Sequence, residues 1–214
     1  VLADNYYNLE IDQSNAKTAQ GAVNVAGTMT VQSGSEYAVA ATTTTVTGAT
    51  DVDGTVSITT GTYNADGSSD IDGTLSISST GLYDADGSFD ATNGAVTFAA
   101  AGILKLADDV TSLGTLSTAA GTVEYDGAGD QTVLSDTYYN LELDGDGTGK
   151  KTAGGAVDVN GTFTIETNCQ MYKTASYTTT VTGATDINSE LKINNVSGVF
   201  DADGDFDATD GTVN

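Results

Sequence analysis

A motif that returns about every 20 residues is the feature that most constrains the fold of this chain. It consists of Gly-Thr followed by a short alternating segment, and it occurs at Gly54-Thr55, Gly73-Thr74 and Gly114-Thr115, with Gly94-Ala95 in the same series. Asp-centred turns follow the same period. Strands and turns that repeat in step are typical of a β-solenoid, because each coil places its residues over the equivalent residues of the coil before it.

The segments between these turns alternate between apolar and polar residues, as in Thr55-Val56-Ser57-Ile58. A period of two predicts strands with one buried face. The chain also has no Pro, which would interrupt the hydrogen-bond ladder of a stacked strand. We therefore predict an all-β fold, a parallel β-solenoid of roughly 10 coils of about 20 residues. A β-sandwich of hairpins is the alternative, but it gives no reason for strand pattern and turn chemistry to repeat together.

A longer repeat of about 135 residues contains the short one. Residues 1–12 and 133–144 are identical at nine of twelve positions, and the segment Lys17–Thr28 returns with few changes as Lys151–Thr162. The chain therefore holds about one and a half copies of a long unit, and both of its ends fall partway through a copy. This pattern leads us to expect a window on a longer array.

We expect one continuous solenoid over residues 1–214, formed by a first long repeat (1–132) and a partial second repeat (133–214). The segment that starts at Gly198 matches the segment that starts at Gly81, at an offset shorter than the long repeat by about one coil. The second repeat is therefore expected to lack one whole coil, which a solenoid tolerates because each coil contacts only its neighbours.

Two segments depart from the short period. Gly27 and Gly54 are further apart than one coil, which predicts a loop or widened coil at Ser33–Ala41 and its equivalent at Thr167–Ser176. The single cysteine, Cys169, falls in the second of these segments, where we expect it to fill the core, with a free thiol or an intermolecular link as the alternatives. One cysteine cannot form an internal disulfide.

The charge of the chain excludes several classes of protein. There are 30 acidic residues against 6 basic ones, a formal net charge of -24, and neither His nor Arg occurs. The absence of His excludes a Ser-His-Asp triad and a His-based zinc site. The net charge would repel a nucleic acid, so we expect no nucleic-acid partner. No apolar run reaches the roughly 20 residues of a membrane span, so none is expected.

Aspartates at recurring positions are the candidate site residues. Carboxylates one coil apart, about 4.8 Å, repel each other, and a divalent cation would relieve that repulsion. Ca²⁺ prefers oxygen ligands of this kind, so we expect Ca²⁺ as a cofactor, against the alternative that Asp-Gly is simply a favourable turn. These aspartates form two predicted series, a longer one that follows the turns and a shorter one. The candidate ligands are Asp66, Asp86, Asp108, Asp126, Asp144 and Asp203 in the longer series, and Asp70, Asp90 and Asp207 in the shorter one.

Other functions have weaker support in the sequence. A polysaccharide-active enzyme would need a distinctive acidic cluster, whereas these acids are spread evenly along the repeat. An ice-binding surface would need Thr-x-Thr on consecutive coils, and pairs such as Thr28/Thr30 do not recur at that period. Asn160 and Asn195 begin glycosylation sequons, which are too common to decide a function.

Three segments resemble the β-strand repeats of large bacterial surface and secreted proteins. They are Gly-Thr-Val-Glu-Tyr-Asp-Gly-Ala-Gly-Asp-Gln-Thr-Val (121–133), Tyr-Tyr-Asn-Leu-Glu-Leu (138–143) and Ala-Val-Asp-Val-Asn-Gly-Thr-Phe-Thr-Ile (156–165). The pattern is similar to adhesins of the filamentous-haemagglutinin type. That resemblance implies a right-handed parallel β-helix and an extracellular or cell-surface location.

Together these observations predict a non-enzymatic structural protein that assembles end to end with copies of itself into a surface filament. A solenoid cut within a repeat exposes strand edges and an apolar cross-section at both ends, and such a contact does not close on itself. An adhesin-type or ice-binding domain, with a surface glycan as a partner of the adhesin, is the alternative.

Overall fold

The structure, a computed structural model, describes residues 1–193 and 197–214. These residues form strands and turns and no helix, stacked as a parallel β-solenoid of about ten coils of about 20 residues, as the repeat predicts. The sequon that begins at Asn195 lies largely outside the described residues. No helix suited to crossing a bilayer occurs in the described ranges.

Two compact units make up the chain, Val1–Gly121 and Thr122–Asn214. The boundary lies close to the boundary of the long repeat, and the expected continuity of the solenoid through residues 1–214 stays a prediction. The first unit contains these strands: β1 (Asn5–Tyr6), β2 (Leu9–Ile11), β3 (Lys17–Thr18), β4 (Val23–Val25), β5 (Met29–Val31), β6 (Glu36–Val39), β7 (Thr43–Val46), β8 (Thr50–Val52), β9 (Thr55–Ile58), β10 (Thr62–Ala65), β11 (Ser69–Ile71), β12 (Thr74–Ile77), β13 (Leu82–Ala85), β14 (Phe89–Asp90), β15 (Ala95–Phe98), β16 (Ile103–Leu106), β17 (Val110–Ser112) and β18 (Thr115–Leu116).

The second unit repeats the same organisation, with three strands in each coil. Its strands are β19 (Thr122–Tyr125), β20 (Gln131–Val133), β21 (Thr137–Tyr138), β22 (Asn140–Leu143), β23 (Lys150–Ala153), β24 (Val157–Val159), β25 (Phe163–Ile165), β26 (Met171–Lys173), β27 (Thr178–Val181), β28 (Thr185–Ile187), β29 (Glu190–Lys192), β30 (Val199–Ala202), β31 (Phe206–Asp207) and β32 (Thr212–Val213).

Every third strand pairs in parallel, so each unit has three sheets along its length. In the first unit the sheets are β1-β4-β7-β10-β13-β16, β2-β5-β8-β11-β14-β17 and β3-β6-β9-β12-β15-β18. In the second unit they are β19-β22-β25-β28-β31, β20-β23-β26-β29-β32 and β21-β24-β27-β30. Equivalent residues therefore lie one above the other, separated by one coil.

The core of each unit consists of the alternate residues of these strands. In β9 and β12 the second and fourth residues are buried and the others are half-buried, which is the pattern that the period of two predicts. In the first unit a column of tyrosines fills much of the interior. The rings of Tyr63 and Tyr83 stack with centroids 5.0 Å apart, and Tyr37 meets Tyr63 edge-on.

The loops expected at Ser33–Ala41 and Thr167–Ser176 are wrong. Each of these segments contains a strand, β6 and β26, within a regular coil. The error arose because Gly27 and Gly54 belong to different turns of the coil. A Cβ at Gly48, not at Gly54, would overlap the carbonyl oxygen of Gly27, so Gly48 is the residue stacked above it.

The lost coil of the second repeat is confirmed among the described residues. Strand β21 is the repeat of β1 and comes twenty strands later, whereas β30 repeats β13 and comes seventeen strands later. The difference of three strands is one coil. Each coil has three strands, so twenty strands are not a whole number of coils. The long sequence repeat therefore does not span a whole number of coils.

Candidate functional site

In the first unit, the predicted turn series holds for only two of its aspartates. Asp86 follows β13 directly above Asp66, and its main-chain N–H donates to the carbonyl oxygen of Ala65 at 3.0 Å. In the next coil Ala107 takes this position, since Leu106 pairs with Ala85. Asp108 lies one residue further along the turn, and all three aspartates are exposed. The series is therefore a pair rather than a ladder.

In the second unit, Asp126 and Asp144 also stack, because Tyr125 pairs with Leu143. Glu166 continues this series one coil later. Asp203 does not belong to it. It follows β30, which pairs with β27 in another sheet, and there it takes the position after Ala202, whose partner is Val181.

The series predicted as the shorter one lies in strands, where it forms the longer array. Asp51, Asp70 and Asp90 pair across β8, β11 and β14, and we call these three residues the acid ladder. Asp51 is not among the predicted ligands, although Thr50–Thr55 reads Thr-Asp-Val-Asp-Gly-Thr and Ser69–Thr74 reads Ser-Asp-Ile-Asp-Gly-Thr. That match, at one-coil spacing, was the available signal.

Further carboxylates flank the acid ladder. Burial, and then the charges of Asp53 and Asp72, raise the pKa of Asp51. Burial, followed by the charges of Asp72 and Asp90, raises the pKa of Asp70. Both pKa values are raised, as expected for like charges one coil apart, because each charge disfavours ionisation of its neighbour. The side-chain amide of Asn93 donates a hydrogen bond to the carboxylate of Asp72 at 3.0 Å. This bond stabilises one of the negative charges that flank the acid ladder.

Asp207 occupies the equivalent strand position in the second unit, where it pairs with Asp186. Its carboxylate accepts hydrogen bonds from the main-chain N–H and the hydroxyl of Thr209, and these bonds lower its pKa. Asp90 makes the same two bonds with Thr92. In both turns the carboxylate closes the turn, which is a structural role for it.

The acid ladder does not form a closed metal cage. Within residues 1–193 and 197–214, no three acidic or thiol side chains converge on one point closely enough to hold a metal ion. The available donors are carboxylate oxygens on an outer surface, one coil apart. Such donors suit a cation held partly by water, not a site that supplies all six to eight oxygens of a Ca²⁺ ion.

A buried lysine stands beside the turn aspartates of the second unit. Lys151, in β23, is 0% exposed, and its ammonium donates to the carbonyl oxygen of Gly127 at 2.6 Å and to Oε1 of Gln131 at 2.5 Å. The N–H of Gly127 donates to the same Oε1 at 2.9 Å, which holds the Gln131 side chain in place. A lysine is almost never fully buried without such partners.

The charges around Lys151 are acidic. Burial lowers the pKa of Lys151, whereas nearby acidic groups, Asp126 and Asp144 among them, oppose that shift. One oxygen of each of these two carboxylates is buried. The lysine therefore already supplies a positive charge at this turn, and Asp126 and Asp144 have less need of a bound cation.

Cys169 packs in the same interior and is fully buried. Burial raises the pKa of its thiol to about 11, with the lysine charge acting in the opposite direction. A thiol that stays protonated at neutral pH is a poor nucleophile. Cys169 therefore fills the core, as the sequence suggested.

Comparisons with known proteins add no relative. No family model matches the chain, and neither a curated protein nor a solved structure matches it significantly. The fold therefore defines the class: an all-β protein built as a parallel β-solenoid.

Proposed function

We propose that this protein is an extracellular structural subunit whose solenoid stacks end to end with further copies into a filament. The observation that carries the proposal is the parallel stacking of equivalent strands along each unit, the same contact that a coil of another copy would make. Among the described residues, β30, β31 and β32 each have a neighbouring strand on one side only. Phe206 and Val213 on these strands are 46% and 45% exposed, in positions that are buried within the coils.

The opposite edge has the same character. Strands β1, β2 and β3 have a partner on one side, and Leu2 is 71% exposed. Unpaired strand edges with apolar side chains favour addition of another strand, and contact between two different edges propagates as a fibre. The resemblance to repeats of bacterial surface adhesins supports an extracellular location.

The net charge predicts how assembly responds to salt. Each subunit carries -24, so copies repel at low ionic strength. We expect assembly to strengthen with added salt, because screening shortens the range of this repulsion to about 8 Å near 0.15 M. Static light scattering and negative-stain microscopy across a salt series measure this.

Edge variants make the test specific. Phe206→Asp and Val213→Asp place a charge on the open edge and are expected to abolish filaments. Thr59→Asp adds the same charge at an exposed turn away from both edges and is expected to assemble like the unmodified chain. A monomer of 21.6 kDa at every salt and protein concentration would contradict the proposal.

We also propose that Ca²⁺ associates with the acid ladder as a cofactor that relieves its repulsion. The pairing of Asp51, Asp70 and Asp90 on adjacent strands supports this, because carboxylates one coil apart repel each other. A cation that binds the folded chain raises its stability by mass action. At neutral pH the gain in stability from Ca²⁺ binding is largest where the carboxylates are ionised and closest together.

The prediction is that Ca²⁺ raises the melting temperature by about 2–4 °C, the shift that about 1 kcal/mol gives in a domain of this size. Asp70→Asn should be the more stable protein in chelator and should gain less from Ca²⁺. Asp158→Asn, an exposed change on β24, should leave the Ca²⁺ response intact. Thermal melts with and without chelator decide this, and a melting curve that ignores Ca²⁺ refutes the proposal.

A further inference from the structure

Lys151 and Gln131 are held side by side within the second unit. The two residues pair directly across β20 and β23, so their side chains stack on the same face, one coil apart. Nζ of Lys151 lies 2.5 Å from Oε1 of Gln131. Because a carbonyl bond is about 1.2 Å long, Nζ is within about 3.7 Å of the carbonyl carbon of Gln131. That separation is close to the distance at which two groups are positioned to react.

Gly127 orients both of these groups. Its main-chain N–H donates to Oε1 of Gln131 at 2.9 Å, and its carbonyl oxygen accepts from the Lys151 ammonium at 2.6 Å. A backbone N–H at a carbonyl oxygen stabilises the negative charge that develops there when a nucleophile attacks the carbonyl carbon. The same residue therefore fixes the position of the amine and activates the side-chain amide.

Two carboxylates border the amine. The lysine contacts the Asp126-Gly127 turn through the Gly127 carbonyl, and a Cβ at Gly145, which follows Asp144, would lie 3.8 Å from Nζ. One oxygen of each carboxylate is buried. A carboxylate in such a place can accept the proton that an ammonium must lose before it attacks, and can return a proton to a leaving group.

Burial makes Lys151 a better nucleophile than a lysine in water. The side chain is fully buried, and this burial lowers the pKa of its ammonium, so more of the amine is unprotonated. Desolvation is a common way for a protein to activate a lysine. The charged groups that oppose this shift are Cys169, Asp126, Asp144 and Asp146.

We propose that Lys151 and Gln131 are a modification site, at which the two side chains join in an intramolecular isopeptide bond after the chain has folded. The unprotonated Nζ attacks Cδ of Gln131, and the carbonyl electrons move to Oε1. When the carbonyl re-forms, the bond from Cδ to Nε2 breaks, and Nε2 leaves as ammonia with one proton that Nζ has given up. One C–N bond replaces another, so the reaction needs no oxidant or reductant.

The isopeptide bond ties two consecutive coils together. It joins residues 20 positions apart, and a cross-link of this kind restricts the unfolded chain as a disulfide does. Adjacent coils of a solenoid are otherwise held only by their contacts with each other. The hydrogen-bonded pair is the state before the reaction, and both residues belong to one chain. The inference therefore goes beyond the proposed filament and does not depend on it.

Mass spectrometry of the folded chain tests the inference. During incubation at mildly alkaline pH, we expect the intact mass to fall by the mass of one ammonia molecule. Protease digestion should then yield a branched peptide that contains Gln131 and Lys151, at the expense of the two linear peptides. The same incubation in concentrated urea should yield none, because the two groups no longer meet. A folded chain that keeps both linear peptides in full and forms no branched peptide overturns the inference.

Two variants separate this bond from other losses of ammonia. Asn93-Gly94 and Asn160-Gly161 can lose ammonia by forming a succinimide, which leaves the peptides linear. Gln131→Glu keeps the shape of the side chain but has no amide nitrogen to release, so we expect it to lose ammonia only at such asparagines. Cys169→Ala should form the branched peptide as the unmodified chain does. A cross-link that needs Cys169, or that hydroxylamine cleaves, would be a thioester and would also overturn the inference.

Discussion

Replacement of Lys151 by Met is expected to lower the free energy of unfolding by about 1–3 kcal/mol, the usual cost of leaving buried hydrogen-bond acceptors without their donor. Methionine keeps much of the side-chain length but cannot donate to the Gly127 carbonyl or to Gln131 Oε1. The nearby carboxylates of Asp126 and Asp144 would keep their buried oxygens and lose the positive charge that faces them. Urea denaturation followed by circular dichroism measures the loss.

Lys17→Met is the matched control, because Lys17 is the homologous residue in the first unit and is only half-buried. Its ammonium stays in contact with water, and an exposed charge contributes little, about 0–1 kcal/mol. We expect the Lys17 variant to unfold close to the unmodified chain. Equal losses in the two variants would mean that the Gly127 and Gln131 contacts contribute nothing specific.

The sequence predicted the class of fold because the relevant signals are local and repeated. A period of two buries alternate residues, and a period near 20 requires equivalent residues to stack. Tyr63 pairs with Tyr83 one coil later, as stacking of equivalent residues requires. Substitutions at individual positions do not hide these signals, because each coil repeats the same pattern.

The site residues were harder to place, because a spacing near 20 does not fix the register within a coil. Each coil has three strands and therefore three turns, and an Asp-Gly pair can occupy any of them. Asp203 follows the repeat in sequence but lies in a different sheet from Asp126 and Asp144. A one-residue change in coil length moves Asp108 past the position that Ala107 holds.

Lys151 shows a different limit of the sequence. Alternation along β23, with Ala153 buried, indicates that Lys151 also points inward. Charge argues for the opposite orientation, since lysine is usually exposed. The acceptors that resolve the conflict, Gly127 and Gln131, lie one coil earlier, and only the folded structure brings them together.

The second large effect is expected at the tyrosine column of the first unit. Tyr63→Ala should lower the free energy of unfolding by about 3–5 kcal/mol, as loss of a large buried ring usually does. Tyr63 is fully buried and stacks on Tyr83 with the ring planes 7° apart. Its hydroxyl lies 3.1 Å from Oγ1 of the buried Thr50. The change to Ala therefore opens a cavity and also takes the Tyr63 hydroxyl away from the Thr50 hydroxyl.

Two further variants separate these causes. Tyr63→Phe keeps the ring and removes only the hydroxyl, so it should cost about 1–3 kcal/mol, the penalty for a buried polar group that loses its hydrogen bond. Tyr7→Ala, at a residue that is 79% exposed, should change stability by less than about 0.5 kcal/mol.

Because each coil contacts only its neighbours, hydrogen exchange in the Tyr63→Ala variant should accelerate first in β10 and in the adjacent β7 and β13. Exchange that accelerates evenly through Val1–Gly121 would show instead that this unit opens as a single cooperative block.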